Sequence, residues 1–346
     1  MPTYGASLCE ITASVIMHTS PLARLTLTAA ARPVLKSHSY IIAVNHRRND
    51  STLSLNLKAR CLPLTYDYLS PTPYHLLNLS LTDFLPPPSP SRNALTLDLP
   101  SIYPAQPMPL GSHLIYFPPQ IPESLLLPDG TDPLQSPGAP WVRRLWAGGS
   151  VKWSPDPMRT LRLRGQRAVC MENITDVEIK AKGEAEKVFV TIERRVGEVE
   201  EGMAEDDVRC QLSGEKASVV EKRIIVFMRE RTAEQAATAA GTPGKVVKQG
   251  HRNLLVHGPL QLILLLELLT RKAPGVCDVP GAMIEEIEYK NLSPLYAEEP
   301  LKICGRPTDT EGVYDLWAET PAGGYAVKAT AKVRRRNMEK PNTSEP

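Results

Sequence analysis

No two of the six cysteines stand in a CxxC pair, and none has a histidine at zinc-finger spacing. Cys9, Cys61, Cys170, Cys210, Cys277 and Cys304 therefore read as reduced, mostly buried thiols of an intracellular protein. That excludes a disulfide frame and leaves no expected metal or cofactor site. No run is long enough to cross a bilayer: the most apolar stretch, 262–266, is followed at once by Glu267. A net charge of +2 is too small to argue for a nucleic-acid partner. Acidic residues are missing altogether between Glu10 and Asp50, where Arg24, Arg32, Lys36, Arg47 and Arg48 lie among Ser, Thr and Ala. Two readings of 1–49 stand: a mitochondrial transit peptide, or a disordered, mildly basic tail.

What is present is ample for a core. Hydrophobic residues make up 42% of 346 positions, a length compatible with two domains. The 33 prolines fall mostly before residue 160. Residues 50–112 are rich in Pro, Leu and Ser, and Leu85-Pro86-Pro87-Pro88-Ser89-Pro90 excludes a helix interior or central strand. It is read as a semi-rigid connector or a polyproline segment for a partner. From residue 113 the pattern changes. His113-Leu114-Ile115-Tyr116-Phe117 predicts a short strand stopped by Pro118-Pro119, and Asp129-Gly130 a turn. Further strands are predicted over 151–153, 166–180, 187–195 and 218–228, with 197–214 as an acidic, solvated loop.

A helix is predicted from Pro259 to Lys272, because proline suits the first helical position. Strands over 283–289, 301–304, 313–319 and 325–333 follow, the last two joined by a turn at Pro321-Ala322-Gly323-Gly324. One apolar helix followed by an antiparallel meander predicts an α+β arrangement, a sheet wrapped round a helix. Residues 334–346 read as a solvated tail. Two candidate sites emerge. In Arg143-Arg144-Leu145-Trp146-Ala147-Gly148-Gly149, the arginines, tryptophan and glycines either hold a phosphate or pantetheine arm or merely permit close strand packing. In Val256-His257-Gly258-Pro259, the Gly258 N–H at a positive helix end either stabilises a carbonyl oxygen gaining charge or shapes a turn.

Together these blocks resemble the fungal branch of the mitochondrial hydroxyacyl-thioester dehydratase type 2 family, relatives of MaoC-like and (R)-specific enoyl-CoA hydratases. The resemblance rests on Leu64-Thr65-Tyr66-Asp67-Tyr68-Leu69-Ser70-Pro71-Thr72-Pro73, His113 to Phe117, Arg143 to Gly149, Glu186-Lys187-Val188-Phe189-Val190, His251 to Leu260 and Ile303-Cys304-Gly305-Arg306. It implies a double hot-dog fold, with a first unit over 113–228, a linker over 229–249 and a partial second unit over 250–333 whose first strand is lost. It implies reversible dehydration of a 3-hydroxyacyl thioester, carried on coenzyme A or acyl carrier protein, in mitochondrial fatty-acid synthesis in the matrix. By resemblance Gly258 is the amide donor, His257 positions the loop, and Arg143, Arg144, Trp146, Gly148 and Gly149 bind substrate. The family's acid–base loop belongs just before Gly250. The stretch from Arg229 to Gln249 contains no His, Asn or Asp, only Glu230 and Glu234, so the catalytic acid and base are not found there. An impaired dehydratase and a non-catalytic acyl-thioester-binding protein are therefore both compatible with the sequence, which leaves the oligomeric state open.

Overall fold

The run from Leu260 to Leu269 is apolar on every side except at Gln261 and Glu267, so a helix made from it must be enclosed rather than laid on a surface. A computed structural model describes residues 13–15, 50–85, 97–127, 129–181, 183–230, 253–273, 276 and 282–335. In chain order the sheet strands are β1 (Ala13–Val15), β2 (Thr65–Leu69), β3 (Gln106–Pro107), β4 (Arg143–Trp153), β5 (Arg162–Leu163), β6 (Gln166–Lys180), β7 (Lys187–Glu198), β8 (Val219–Met228), β9 (Ala282–Asn291), β10 (Leu301–Pro307), β11 (Val313–Glu319) and β12 (Tyr325–Arg335). The helices are α1 (Asp50–Lys58), α2 (Pro71–Leu81), α3 (Glu205–Leu212) and α4 (Gly258–Lys272).

Ten strands form one sheet in the order β1-β10-β11-β12-β9-β4-β8-β7-β6-β2, and β3 pairs with β5 apart from it. Every pairing in the large sheet is antiparallel. Cut at the β4–β9 seam, the sheet falls into two halves with the same plan. In each, the opening strand lies at the outer edge, the second strand lies at the seam, and the last three run between them. This is the double hot-dog arrangement, each half a sheet around a helix. The first half takes its opening strand and helix, β2 and α2, from adjacent chain. In the second half α4 is preceded, among the described residues, by no strand of its own. The opening-strand position beside β10 is occupied by β1, with Ala13 opposite Ile303 and Val15 opposite Leu301.

Helix α4 is the common core. Leu262, Leu264, Leu265, Leu266, Leu268 and Leu269 are each no more than 1% exposed. They belong to one apolar cluster that draws Leu69, Tyr116, Val151 and Val196 from the first half and Ile284, Ile303, Leu316 and Ala329 from the second. Gly111, in a left-handed turn (φ 83°), lies so close that a Cβ there would come within 2.8 Å of the Leu266 side chain.

Several expectations give way. The first unit does not begin at 113, because β2 and α2 lie within the proline-rich stretch. Pro71 is the first residue of α2, where its missing N–H costs nothing. Residues 86–90 of the polyproline segment lie outside the described residues. His113 to Phe117 is no strand. Ser112–Ile115 is a 3-10 turn that carries His113 into the interior, between the Gly111 turn and Pro118. The stretch read as an acidic loop contains α3. Glu205, Asp206 and Asp207 fill its first turn, where the helix dipole favours negative charge, and Val208 and Leu212, one turn apart, are buried. Of the cysteines, Cys170 and Cys304 are buried thiols, but Cys61 and Cys210 are exposed.

Candidate functional site

A groove of about 470 Å³ opens where the start of β4, the facing ends of β7 and β8, the 291–295 turn and the first turn of α4 meet. Its shape depends on a bulge. The β4–β8 register slips between Trp146 and Gly148, so Ala147 is an extra residue. A bulge re-aims side chains locally, and here Trp146 and Ala147 both line the groove. The Trp146 carbonyl accepts from Asn291 Nδ2 at 2.8 Å, and the indole N–H donates to the Gly148 carbonyl at 3.0 Å. Arg223 stacks 4.8 Å over the ring. Trp146 is thus held once through its backbone and twice through its indole.

That indole is the floor beneath the start of α4. A Cβ on Gly258 would come within 3.0–3.3 Å of the Trp146 ring and Cβ, which is why glycine suits this place. As the first helical residue, Gly258 has an N–H that the helix supplies with no acceptor, and Pro259 has no N–H at all. His257 precedes it in extended conformation and makes no cap bond through its side chain. Its pKa is lowered, by desolvation first and then by the charges of Arg223 and Arg144, so the ring is neutral at pH 7. Arg144 is ion-paired with Asp129 (Nε to Oδ2, 3.1 Å), and burial is the main cause lowering its pKa.

Arg144, Trp146, His257 and Gly258 thus surround one groove. The other predicted substrate-binding residues do not line it. Arg143 turns to the Arg229 carbonyl, with Nη1 at 3.3 Å. Gly148 and Gly149 sit at the seam, where a Cβ would strike the Tyr289 and Lys222 carbonyl oxygens respectively. Their glycines serve close packing of strands. Of the stretch from Arg229 to Gln249, expected to hold the acid–base loop and found without one, only Arg229 and Glu230 are described. Neither of them lines the groove. The rest of it, Glu234 and Gln249 included, lies outside the described residues, as does His251.

The sequence reading missed Asn291, Arg223 and Gln261. Gln261 carried a signal: it is the one amide in the apolar turn from Leu260 to Leu266. Arg223 is positioned by a buried network. Glu221, fully buried, accepts from Arg223 (Nε to Oε1, 2.5 Å) and from Arg194 (Nη1 to Oε2, 3.0 Å). Arg194 also donates to Glu172 at 2.7 Å, and His113 Nε2 faces Glu221 at 3.6 Å. Burial opposes ionisation of Glu221, but Arg223, His113 and Arg194 outweigh it and hold its pKa well below the usual range. No group of three or more His, Cys, Asp or Glu suited to a metal ion occurs among the described residues. Chemically, the groove offers a free amide at a positive helix end, flanked by fixed cations. That arrangement favours an oxygen that gains negative charge.

Residues 111–248 and 245–297 match the family described as hydroxyacyl-thioester dehydratase type 2. Together the two segments span more than half of the chain, and they meet at 245–248. The chain is 25% identical over 264 residues to mesaconyl-C(4)-CoA hydratase of Chloroflexus aurantiacus, covering 69% of this chain and 89% of that one. Among solved structures, it resembles a MaoC-like dehydratase from Phytophthora capsici (TM-score 0.46, 11% identity, 81% of this chain and 98% of that chain). HtdX from Mycobacterium tuberculosis matches at a TM-score of 0.38 and 11% identity, over 78% of this chain and 99% of that chain.

Proposed function

Since the chain belongs to the hydroxyacyl-thioester dehydratase type 2 family, we propose that it takes 3-hydroxyacyl thioesters and interconverts them with trans-2-enoyl thioesters and water. The observation that carries this is Gly258, which begins α4, lines the groove and is seated over Trp146. Removal of the proton next to the thioester carbonyl builds enolate charge on the carbonyl oxygen. The Gly258 N–H donates to that oxygen, and the positive end of α4 adds to the effect. Arg144 and Lys187 line the same wall and favour an anionic carrier arm.

A base must take the proton and an acid must protonate the leaving hydroxyl. No carboxylate lines the groove among the described residues. That observation favours a second reading, in which the chain binds acyl thioesters without turning them over. We further propose a mitochondrial matrix location, membership of the fungal branch and a role in fatty-acid synthesis, with coenzyme A or acyl carrier protein as carrier. Their support is the acid-free basic stretch between Glu10 and Asp50 and the sequence blocks described above.

Absorbance of the enoyl thioester, followed after adding a 3-hydroxyacyl-CoA to the full chain, separates the readings. Turnover above buffer that falls about 10²–10³-fold in Gly258→Pro, which removes the amide donor, supports the dehydratase. Saturable acyl-CoA binding with no turnover leaves the second reading. Absence of both rejects the two together.

A further inference from the structure

A base that works in the groove must come from the side chains that line it. Among the described residues these include two cations, Arg144 and Lys187, one imidazole, His257, and no Asp, Glu, Cys or Tyr. Guanidinium and ammonium groups only donate, and amides such as those of Gln261 and Asn291 take up no proton near neutral pH. A neutral imidazole has one nitrogen that accepts and one that donates. His257 is exposed and lines the groove, so a ligand there can reach it. Its side chain makes no cap bond, and no hydrogen bond to a described residue occupies the ring. The two cations that act on the ring belong to the groove wall: Arg144 of β4 lines it, and Arg223 of β8 is stacked on Trp146. Lys187 of β7 adds a further positive charge to the lining. In that company, and partly desolvated, the imidazole is neutral near pH 7 and free to accept.

Resting on the dehydratase reading above, we propose that His257 is a catalytic residue: the base that removes the C2 proton of the 3-hydroxyacyl thioester and the acid that returns it to the leaving hydroxyl. Adjacent Cα atoms are about 3.8 Å apart. An oxygen held on the Gly258 N–H therefore brings the carbon next to the thioester carbonyl alongside the His257 side chain. The ring takes the C2 proton, and the C–H electrons pass into the enolate, whose oxygen the Gly258 N–H stabilises. The enolate then collapses to the C2=C3 double bond as the C3–O bond breaks. The imidazolium gives its proton to that oxygen, which leaves as water, and the ring is neutral again. One group thus serves both proton transfers, and the groove needs no second acid or base. This is a larger part than the loop positioning that the resemblance implies for His257.

The test follows turnover of a 3-hydroxyacyl-CoA against pH, and binding of the saturated acyl-CoA of equal length, in the full chain and in His257→Gln and Arg144→Gln. In the unaltered chain kcat/KM, which reports the free protein, is expected to be complete above about pH 6.5 and to fall as pH drops through the lowered His257 pKa. Arg144→Gln removes one of the charges that lower that pKa, so the acid limb is expected to move to higher pH. His257→Gln is expected to lose about 10²–10⁴-fold in kcat while binding the saturated acyl-CoA as before. Turnover kept in His257→Gln, or an acid limb that stays in place in Arg144→Gln, overturns the proposal and leaves the dehydratase reading standing. Equal losses of turnover and of acyl-CoA binding in His257→Gln return the residue to positioning the loop and overturn the proposal too. An unaltered chain that binds acyl-CoA without turnover rejects the dehydratase reading, and this proposal with it.

Discussion

The two halves share a strand order but are stabilised by different means. The inner face of the first half is not purely apolar. Along β6 and β7 it runs from the cluster on α4, through the Glu172–Arg194–Glu221–Arg223 network, to a second cluster in which Leu53 and Leu57 of α1 cover Val188, Val190 and Ile192. Its outer face is partly covered by α3 on Val169 and Met171. The second half has the reverse distribution. Its inner face is apolar against α4, and its charges lie outside, as Glu286 between Lys152 and Lys332, Lys302 with Glu319, and Arg334 with Glu285. The helices differ in the same sense: α4 is enclosed, whereas α2 buries only Pro71, His75 and Leu81. One topology thus accommodates charge inside or outside, provided the shared helix stays dry.

The largest expected effect would break this contrast if it failed to appear. Glu221→Leu strands Arg194 and Arg223 in the interior and should cost about 3–5 kcal/mol in urea unfolding. Glu286→Leu, whose lysine partners are mostly solvated, should cost no more than about 1 kcal/mol and become neutral in about 1 M salt. Equal losses would mean that the halves use charge alike.

Acid should separate the halves next. Burial lowers the His113 pKa from its ordinary 6.5, so the ring is neutral in the folded chain. Its contribution is complete above about pH 6.5 and is lost as the unfolded chain takes up the proton below that. Glu221, lowered from 4.5, contributes fully above about pH 4.5 and loses its contribution as pH falls toward its folded value. Stability measured against pH should therefore fall in two stages. His113→Leu should reduce the first to the part that His257 supplies and keep the second.

The smallest effect concerns the outer edge of the second half. Deleting residues 1–20 removes β1 and should speed hydrogen exchange at Leu301 and Ile303, with the β6–β7 amides unchanged. Unchanged exchange at both places would show that β1 adds nothing to that edge.

The sequence carries part of the fold but not the placement of the charges. The enclosed helix followed from an apolar run without a polar face. β-branched residues marked β7, and the Pro321–Gly324 turn marked the pair β11 and β12. The opening of the first half was hidden, since Pro71 and Pro73 read as breakers when they in fact stand in the first turn of α2. Helix α3 was masked by the very carboxylates that stabilise its start. Of the site, the helix end at Gly258 was visible because proline and glycine have few roles there. The bulge at Ala147 was not, since a one-residue slip leaves composition and spacing untouched. It is that slip that brings Trp146 under Gly258. The roles expected of Gly148 and Gly149 failed for a related reason: a glycine needed by a neighbouring strand looks the same in sequence as one needed by a ligand.

The position of β1 gives the start of the chain a second meaning. Trimming on the amino side of Ala13 leaves β10 with a partner. Trimming beyond Val15 leaves the N–H and C=O groups of its outer edge free to pair with a strand of another chain. Losing this stretch would move the sheet edge from the three-residue β1 to the seven-residue β10.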